Sequence, residues 1–335
     1  MCGQAPCQNR PVCDRRRIAV LGGGVGNARF LLGLRDHLAE EGDPAEVTSI
    51  INVGDDMWLA GLRITPDLDT VMYALAGVND VQRGWGRVGD TERVSAELQA
   101  WGVGWPWFTL GDLDLGAHIT RSALLKEGLP LSSVVERMTA RWPLGVRMLP
   151  ATDHEVETYV ATAEGELHFQ EWWTRYRASL DPTAFHFRGI EQATPAPGVL
   201  EAIERADVIL LAPSNPIVSL DPVLSIPGIR DAVVRASAPV VGVSPIIGGA
   251  VVRGMADQCL TAVGVETSAL AVARYLGSRR DGGLLDGWLV DDVDTAAREP
   301  LEREGIATRS LPLWFRDRAS SSAIARAALA VARDR

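Results

Sequence analysis

Two adjacent aspartates, Asp55 and Asp56, stand directly after a short apolar run and are the first candidates for chemistry in this sequence. Neighbouring carboxylates repel each other unless a cation or a hydrogen-bond donor lies between them. Carboxylate oxygens are also the ligands that Mg²⁺ prefers, so the pair indicates a magnesium site. Asp67 and Asp69 follow shortly after, but capping of a helix that begins near them explains these two acids equally well.

A second candidate is the glycine-rich stretch Gly22-Gly23-Gly24-Val25-Gly26, which lies between a predicted strand and a predicted helix. Free backbone N–H groups and the positive end of a helix dipole hold anions at such a position. The dinucleotide spacing G-x-G-x-x-G fails because Asn27 occupies the third glycine position, and no Gly-Lys-Ser/Thr follows. Two interpretations stay open: a phosphate-binding turn with contacts from Gly23, Gly24, Gly26 and Asn27, and a merely tight turn.

Further polar groups follow other predicted strands. Ser214-Asn215-Pro216 with Ser219 comes after one buried strand, and Ser244-Pro245-Ile246-Ile247-Gly248-Gly249 comes after another. Because the carboxyl ends of parallel strands meet at one edge of a sheet, hydroxyls, an amide and bare N–H groups converge there with the glycine turn. We predict a ligand site at this edge.

Arginines and an aromatic residue occur together in one loop. Arg83 and Arg87 flank Gly84-Trp85-Gly86, and Arg63 lies a little earlier. An arginine fork grips a phosphate or a carboxylate, and an indole ring offers a stacking surface. A solvated surface turn explains the same residues equally well.

Two other kinds of chemistry are disfavoured. The five histidines, at positions 37, 118, 154, 168 and 186, show no ligand-like spacing, and we interpret them as structural. Ser244 is not a nucleophile elbow, because the G-x-S-x-G motif requires glycine where Ile246 stands. Covalent serine catalysis is therefore not expected.

Short apolar runs that alternate with helical patterns must position these groups. Runs at 18–21, 47–53, 206–213, 239–243, 284–290 and 307–313 are predicted strands, and 28–38, 69–76 and 320–332 are predicted helices. This alternation predicts an α/β fold, a Rossmann-like, doubly wound and mostly parallel sheet.

The range 76–190 is predicted to be a mainly helical insertion subdomain with short strands. It would interrupt a core formed by 17–75 and 191–335. Within the insertion, Ser133 and Glu136 have the spacing of a capping box at the start of a helix.

Length and composition exclude several classes of protein. The chain has 335 residues, a formal net charge of −10 and 47% hydrophobic residues. A chain with this negative net charge has no basic surface field that would attract nucleic-acid phosphates. No apolar run reaches the roughly 18 residues of a membrane span. Cys2, Cys7 and Cys13 lack zinc spacing, and no signal-peptide pattern surrounds them. We therefore predict a soluble cytoplasmic protein with a disordered tail at 1–16 and with neither nucleic-acid nor membrane partners.

Several segments together resemble the 2-phospho-L-lactate transferase family of coenzyme F(420) biosynthesis, and most closely its actinobacterial type, the phosphoenolpyruvate transferases. Their order and spacing match from about residue 18 to the C-terminus. The segments are Gly22-Gly23-Gly24-Val25-Gly26-Asn27-Ala28-Arg29-Phe30, Asn52-Val53-Gly54-Asp55-Asp56, Pro66-Asp67-Leu68-Asp69-Thr70-Val71-Met72-Tyr73, Gly84-Trp85-Gly86-Arg87, His168-Phe169-Gln170-Glu171-Trp172-Trp173, Ala212-Pro213-Ser214-Asn215-Pro216 and Ser244-Pro245-Ile246-Ile247-Gly248-Gly249.

The resemblance implies a magnesium-dependent transferase, commonly a homodimer. Such an enzyme moves a phosphoenolpyruvyl or 2-phospho-L-lactyl group from a guanosine diphospho donor to the ribityl hydroxyl of the deazaflavin Fo and releases GMP. Asp55 and Asp56 would be catalytic and hold Mg²⁺, with Asp67 and Asp69 in support. The implied substrate contacts are Asp69, Arg87, Ser214, Asn215, Ser219, Ser244, Gly248, Gly249 and Arg253.

The sequence departs from the family pattern at two positions. Asn27 replaces a glycine that is common in the first loop, and Ala250 stands where many members carry lysine. Arg253 is the candidate replacement for that lysine on the donor phosphate.

Two other functions compete with the transferase. One is a non-enzymatic, nucleotide-sugar-binding regulator resembling the gluconeogenesis factor family. The Gly-Trp-Gly-Arg and His-Phe-Gln-Glu-Trp-Trp segments favour the transferase over it. The other is an NAD-dependent oxidoreductase, which the failed glycine fingerprint disfavours.

Overall fold

The computed structural model describes residues 15–334, so the predicted tail at 1–16 lies almost entirely outside it. Within that range the strands are Arg17–Gly22 (β1), Glu46–Ile51 (β2), Met57–Leu59 (β3), Leu62–Ile64 (β4), Arg147–Pro150 (β5), Glu157–Thr162 (β6), Gly165–His168 (β7), Ala184–Arg188 (β8), Val208–Leu211 (β9), Val240–Val243 (β10), Ile246–Ile247 (β11), Ala250–Val251 (β12), Gly287–Val290 (β13) and Ala307–Ser310 (β14). The α-helices are Gly24–Glu40 (α1), Pro66–Ala76 (α2), Arg93–Ala100 (α3), Asp112–Lys126 (α4), Leu131–Thr139 (α5), Val199–Glu204 (α6), Asp221–Ser225 (α7), Ile229–Arg235 (α8), Ala256–Ala262 (α9), Ala269–Leu276 (α10), Arg298–Arg303 (α11) and Arg318–Arg333 (α12). Glu171–Arg175 and Pro216–Leu220 are π-helical turns.

Seven strands form the central sheet, in the order β14-β13-β10-β9-β1-β2-β5, and all of its pairings are parallel. The predicted α/β class with a mostly parallel sheet is confirmed. From β1 the chain runs outward through β2 and β5 on one side and through β9, β10, β13 and β14 on the other. The strand order therefore reverses between β1 and β9, which is where doubly wound sheets bind ligands beyond their carboxyl ends.

Continuous apolar sequence explains the central strands. All four residues of β9 are buried, and so are all four of β10, as expected for parallel strands covered on both faces. Gly242 of β10 lies against Trp288 of β13, since an added Cβ would stand 2.4 Å from the indole Cζ3. Helices α1 and α12 pack together just as closely, with Gly33 against the backbone of Ser321.

The range 76–190 contains helices α3 to α5 and the antiparallel sheet β7-β6-β8. Strand β5, however, belongs to the central sheet and pairs with β2. The division of the chain into a core and an insertion stays a prediction. Strand β5 lies within the range 76–190 but is part of the central sheet. None of the helices among residues 15–334 is both long and apolar enough to cross a lipid bilayer.

The predicted capping box is wrong. Helix α5 begins at Leu131, so Ser133 lies inside the helix instead of before it. Asp153, which is distant in sequence, accepts hydrogen bonds from the backbone N–H (2.6 Å) and the hydroxyl (2.9 Å) of Ser132. A tertiary contact therefore satisfies the donors at this helix start, and local sequence spacing could not show it.

Candidate functional site

A cavity of about 610 Å³ lies beyond the carboxyl ends of the central strands. Its wall combines the glycine turn, aspartates, serines, arginines and aromatic rings. The sequence-predicted residues that line it are Gly23, Gly24, Gly26, Asp55, Asp67, Asp69, Ser214, Asn215, Ser219, Ser244 and Arg253. The structure thus brings most of the predicted site residues together at the edge where β1 and β9 end.

Other predicted residues lie outside the lining. The Asn27 side chain is completely buried and its amide donates to the Ser49 hydroxyl (3.4 Å). Arg87 lies between the rings of Tyr73 and Trp142, 5.7 Å from each centroid. Gly248 and Gly249 form the exposed turn between β11 and β12, where the Gly248 N–H donates to Asp294 (2.9 Å).

The glycine turn is joined to the segment after β9. The Gly23 N–H donates to the Ser214 hydroxyl (3.0 Å), which in turn donates to the Gly23 carbonyl (2.9 Å). A Cβ at residue 26 would lie 2.0 Å from the Pro213 carbonyl oxygen, so only glycine permits this approach. Helix α1 begins here with neither a side-chain cap nor an acidic residue in its first turn. Because the Gly23 and Gly24 N–H groups already donate to Ser214 and Asp67, the N–H groups of Val25 and Gly26 are the ones that this turn offers to an anion in the cavity.

The Asn52 side chain connects two of the aspartates. Its amide nitrogen donates to Asp55 (3.1 Å), to Asp67 (2.9 Å) and to the Val218 carbonyl (3.2 Å). Its carbonyl oxygen accepts from the Gly54 N–H (2.8 Å). Asn52 thus fixes the loop after β2 against the first turn of α2, which carries Asp67. Asn52 lies within one of the segments that resemble the transferase family, but it had no predicted role.

Asp55 and Asp67 form a buried pair of like charges. Burial raises the pKa of Asp55 well above its usual range, and the Asp67 charge adds to the effect while the Asn52 hydrogen bond opposes it. Burial likewise raises the pKa of Asp67 to about 6, against hydrogen bonds from Asn52 and the Gly24 N–H. Two repelling carboxylates that share one donor and face a cavity suit a hard divalent cation. The residues present therefore fit Mg²⁺.

This pair predicts a pH-dependent stability. The pKa of Asp67 rises from 3.8 to about 6 on folding, so the folded state binds this proton more tightly than the unfolded state. The stabilisation of the fold by the bound proton is therefore fully present below pH 3.8 and is lost as the pH rises through 6. With a chelator present, we expect the free energy of unfolding to fall by about 2 kcal/mol across that window. Urea denaturation at several pH values measures it. Asp67→Asn should flatten the profile, and equal profiles for variant and wild type would refute the assignment.

Asp56 points away from its neighbour. Its carboxylate is completely buried, lies 3.7 Å from the Arg63 guanidinium and accepts no hydrogen bond from any residue in the range 15–334. Burial raises the pKa of Asp56 well above its usual range, which Arg63 opposes. His168 donates from Nε2 to the Asp56 carbonyl (3.2 Å). The structure thus places this predicted metal ligand outside the cavity lining.

Asp69 belongs to a different cluster. It is paired with the guanidinium of Arg121 from α4 and accepts from the Thr65 hydroxyl (3.3 Å). In the described part of the chain, no three of the four predicted metal ligands bring carboxylate oxygens within 4.8 Å of one another. The four acids therefore form two groups. Asp55 and Asp67 are a pair that suits a cation, whereas Asp56 and Asp69 each lie beside an arginine.

The cluster around Asp69 also includes Asp114 and His118, whose ligand atoms lie within 4.8 Å of those of Asp69. Arg121 donates to Nδ1 of His118 (3.0 Å), so the ring proton sits on Nε2, 3.4 Å from Asp114. The Tyr73 hydroxyl donates to Asp114 (2.7 Å). Arg121 supplies the positive charge here, so the donor set works as an ion-pair network that joins α2 to α4.

Aromatic rings form a further part of the wall, and among them only Trp85 had a predicted role as a stacking surface. Trp107 stacks on Trp105 with centroids 4.6 Å apart and rings inclined by 17°. Phe108 meets Trp107 edge to face at 6.2 Å, and Trp173 is 37% exposed. The phenylalanine, tyrosine and tryptophan residues of the lining are Tyr73, Trp85, Trp107, Phe108, Phe169, Trp173 and Phe315. Such rings favour a flat, conjugated ligand.

Two arginines, Arg29 and Arg253, also line the cavity. Arg29 donates to the Phe315 carbonyl (3.4 Å), and Arg253 donates to the Gly84 carbonyl (3.1 Å). Arg29 had no predicted role. Its place one turn beyond the glycine stretch, on the helix that this stretch begins, is the signal that could have identified it.

Comparisons with known proteins point to one family. The family model described as 2-phospho-L-lactate transferase CofD matches residues 18–311. A protein of Streptomyces griseus named phosphoenolpyruvate transferase is 53% identical over 95% of this chain and 99% of its own length. Proteins of the same name from Thermobifida fusca (52% identical, 94% and 98% covered) and Nocardia farcinica (49% identical, 94% and 95% covered) are similarly close.

Solved structures with much lower sequence identity share the fold. A Bacillus halodurans protein described as a member of the UPF0052 family superposes with a TM-score of 0.63 at 18% identity. The match covers 94% of this chain and 99% of that protein. At this identity the similarity establishes the architecture of the sheet and helices, and function is argued from the site.

Proposed function

Because the chain belongs to the 2-phospho-L-lactate transferase family, we propose that it transfers a phosphoenolpyruvyl group from enolpyruvyl-diphospho-guanosine to the ribityl hydroxyl of the deazaflavin Fo, with release of GMP. The name that the relatives carry favours the enolpyruvyl donor over its 2-phospho-L-lactyl counterpart. The observation that carries the proposal is one cavity that holds a buried carboxylate pair, an anion-binding turn and a wall of aromatic rings. The route is coenzyme F(420) biosynthesis. A homodimer and a cytoplasmic location are part of the same proposal.

The lining residues divide between the two substrates by their chemistry. The N–H groups of the glycine turn and the polar groups of Ser214 and Ser219 suit the diphosphate and guanosine parts of the donor. The aromatic rings suit the flat deazaflavin ring system. Asp55 and Asp67 would hold Mg²⁺, which supplies positive charge against the negative charge that develops on the leaving phosphate.

The proposed transfer requires little covalent chemistry from the protein's own groups. The terminal ribityl oxygen of Fo attacks the donor phosphorus distal to guanosine. The bond from this phosphorus to the bridging oxygen breaks, and GMP leaves with that oxygen. The hydroxyl proton passes to a carboxylate of the lining. The chain's contribution is to hold both reactants in line and to keep their charges compensated.

The direct test combines the purified protein, Mg²⁺ and Fo with each of three guanylylated donors, the enolpyruvyl, lactyl and glyceryl forms. We expect GMP and a phosphodiester of the deazaflavin to appear together on a chromatogram, fastest with the enolpyruvyl donor. Omission of Fo serves as the control for simple hydrolysis. No GMP with any donor would overturn the proposal.

The aromatic wall predicts an effect on acceptor binding. Trp107→Ala removes a ring that Trp105 already holds in place, so we expect the affinity for Fo, measured by its fluorescence change on binding, to fall by about tenfold. Trp101→Ala is the matched control, because Trp101 is 79% exposed and outside the lining. Equal Fo affinity for Trp107→Ala and wild type would place the deazaflavin elsewhere.

The competing function, a nucleotide-sugar-binding regulator, has no comparable support. Relatives that are 49–53% identical over 94–95% of the chain are named phosphoenolpyruvate transferases. A sugar nucleotide that co-purifies with the protein, together with absent GMP release, would favour the regulator.

A further inference from the structure

Arg29 and Arg253 share the cavity wall, and neither forms an ion pair with a carboxylate anywhere between residues 15 and 334. Each guanidinium donates one hydrogen bond to a backbone carbonyl, of Phe315 and of Gly84 respectively. A guanidinium has five N–H groups in a planar fork, so most donors of both side chains are available to a ligand.

The two arginines affect each other electrostatically. Burial lowers the pKa of Arg29, and the charge of Arg253 lowers it further. Two like charges that face one cavity without a carboxylate partner are stabilised when an anion enters between them. The same wall carries the acidic pair Asp55 and Asp67, so the cavity offers both cationic and anionic groups to a ligand.

Arg253 is held in position although it is exposed. Its Nη2 lies 3.1 Å from the Gly84 carbonyl, and a Cβ at residue 84 would stand 2.5 Å from that nitrogen. Gly84 also has φ +80°, which favours glycine. The loop that contains Trp85 thus fixes the guanidinium before a ligand binds, which lowers the entropic cost of binding.

The proposed donor has two anionic parts, a diphosphate and the carboxylate of its three-carbon acid. The glycine turn and a cation on the acidic pair account for the diphosphate. We infer that Arg29 and Arg253 together bind the carboxylate of the transferred acid, and so restrict the enzyme to donors that carry one. This inference rests on the proposed function and adds a specificity determinant to it.

The test compares three ligands in the presence of Mg²⁺: enolpyruvyl-diphospho-guanosine, its carboxamide analogue and GDP. Titration calorimetry measures their dissociation constants for the wild type, Arg29→Gln, Arg253→Gln and Arg253→Lys. Arg205→Gln is the charge control, because Arg205 is exposed and paired with Glu201. Thermal unfolding confirms that each variant is folded.

We expect each glutamine variant to weaken binding of the acid-bearing donor by about 10- to 100-fold while binding of GDP and of the carboxamide is unchanged. Arg253→Lys should recover part of the loss, and Arg205→Gln should match the wild type. If GDP binding weakens as much as donor binding, the arginines hold the diphosphate and the inference is wrong. It is equally wrong if the variants discriminate between acid and amide as the wild type does.

Failure of the proposed function has a separate signature. GMP release by the wild type with Fo tests the transfer reaction and does not depend on the arginine variants. Transfer with intact acid discrimination in both variants rejects the carboxylate site alone. Acid discrimination that depends on the arginines, without any transfer to Fo, rejects the proposed function alone.

Discussion

Asp67→Asn and Asp55→Asn are each expected to lower kcat for GMP release by about 100- to 1000-fold. Each substitution removes one of the two carboxylates that face the cavity and share the Asn52 amide. Neither should unfold the protein. Burial raises the pKa of both carboxyl groups, and the Asp67 charge raises that of Asp55 further. A neutral amide carries no charge to bury, so without metal the free energy of unfolding should be unchanged or higher.

Steady-state GMP release and urea denaturation measure the two effects. Asp231→Asn is the control, since its carboxylate is 70% exposed on α8 and outside the cavity lining. Asp56→Asn gives a sharper contrast within the motif, because Asp56 faces Arg63 and lies outside the lining. We expect it to lose far less turnover than Asp55→Asn. Wild-type rates for Asp55→Asn and Asp67→Asn would remove the pair from the mechanism.

The second large effect concerns stability. Arg121 is 2% exposed and donates to the Asp69 carboxylate, to the Arg63 carbonyl (3.1 Å) and to His118 Nδ1 (3.0 Å). Arg121→Met leaves Asp69 buried beside Asp114 without its cation. We expect the free energy of unfolding to fall by about 3–5 kcal/mol, as measured by urea denaturation.

Two further variants test the cause of this loss. Arg121→Met combined with Asp69→Asn removes both charges and should recover part of the stability, because no uncompensated carboxylate remains. Arg274→Gln breaks a solvent-exposed pair with Glu304 and should cost no more than about 1 kcal/mol. An Arg121→Met protein as stable as Arg274→Gln would contradict the role assigned to the network.

The middle of the sheet was predictable because β1, β9 and β10 lie in continuous apolar runs that end in turn residues. The runs at 206–213 and 239–243 contain β9 and β10, and the glycine stretch marks the end of β1. Ligand-facing loops follow from that topology. The place of β5 in the central sheet was not predicted, because Arg147–Pro150 is short and joins the sheet only through its pairing with β2.

The direction of individual side chains in the loops was not predictable. Asp55 and Asp56 are neighbours in sequence, yet one faces the cavity and the other faces Arg63. Asn27 illustrates the same difficulty, because its position at the turn predicted a ligand contact while its side chain enters the core. Pairings of this kind depend on residues distant in the chain.

The network on α4 had a sequence signal that was overlooked. Asp114, His118 and Arg121 recur at helical spacing and occupy one face of α4. His118 was predicted to be structural because the spacing of the five histidines shows no ligand pattern.

The Asn52 amide group carries two protons but faces three acceptors, Asp55, Asp67 and the Val218 carbonyl. The three acceptor oxygens therefore compete for two protons, and at any instant one of the three lacks a full hydrogen bond from Asn52. A divalent ion on the two carboxylates would end that competition and leave the amide free to serve Val218. Loading the ion should therefore tighten the junction between the end of β2 and the π-helical turn at 216–220, well beyond the carboxylates themselves.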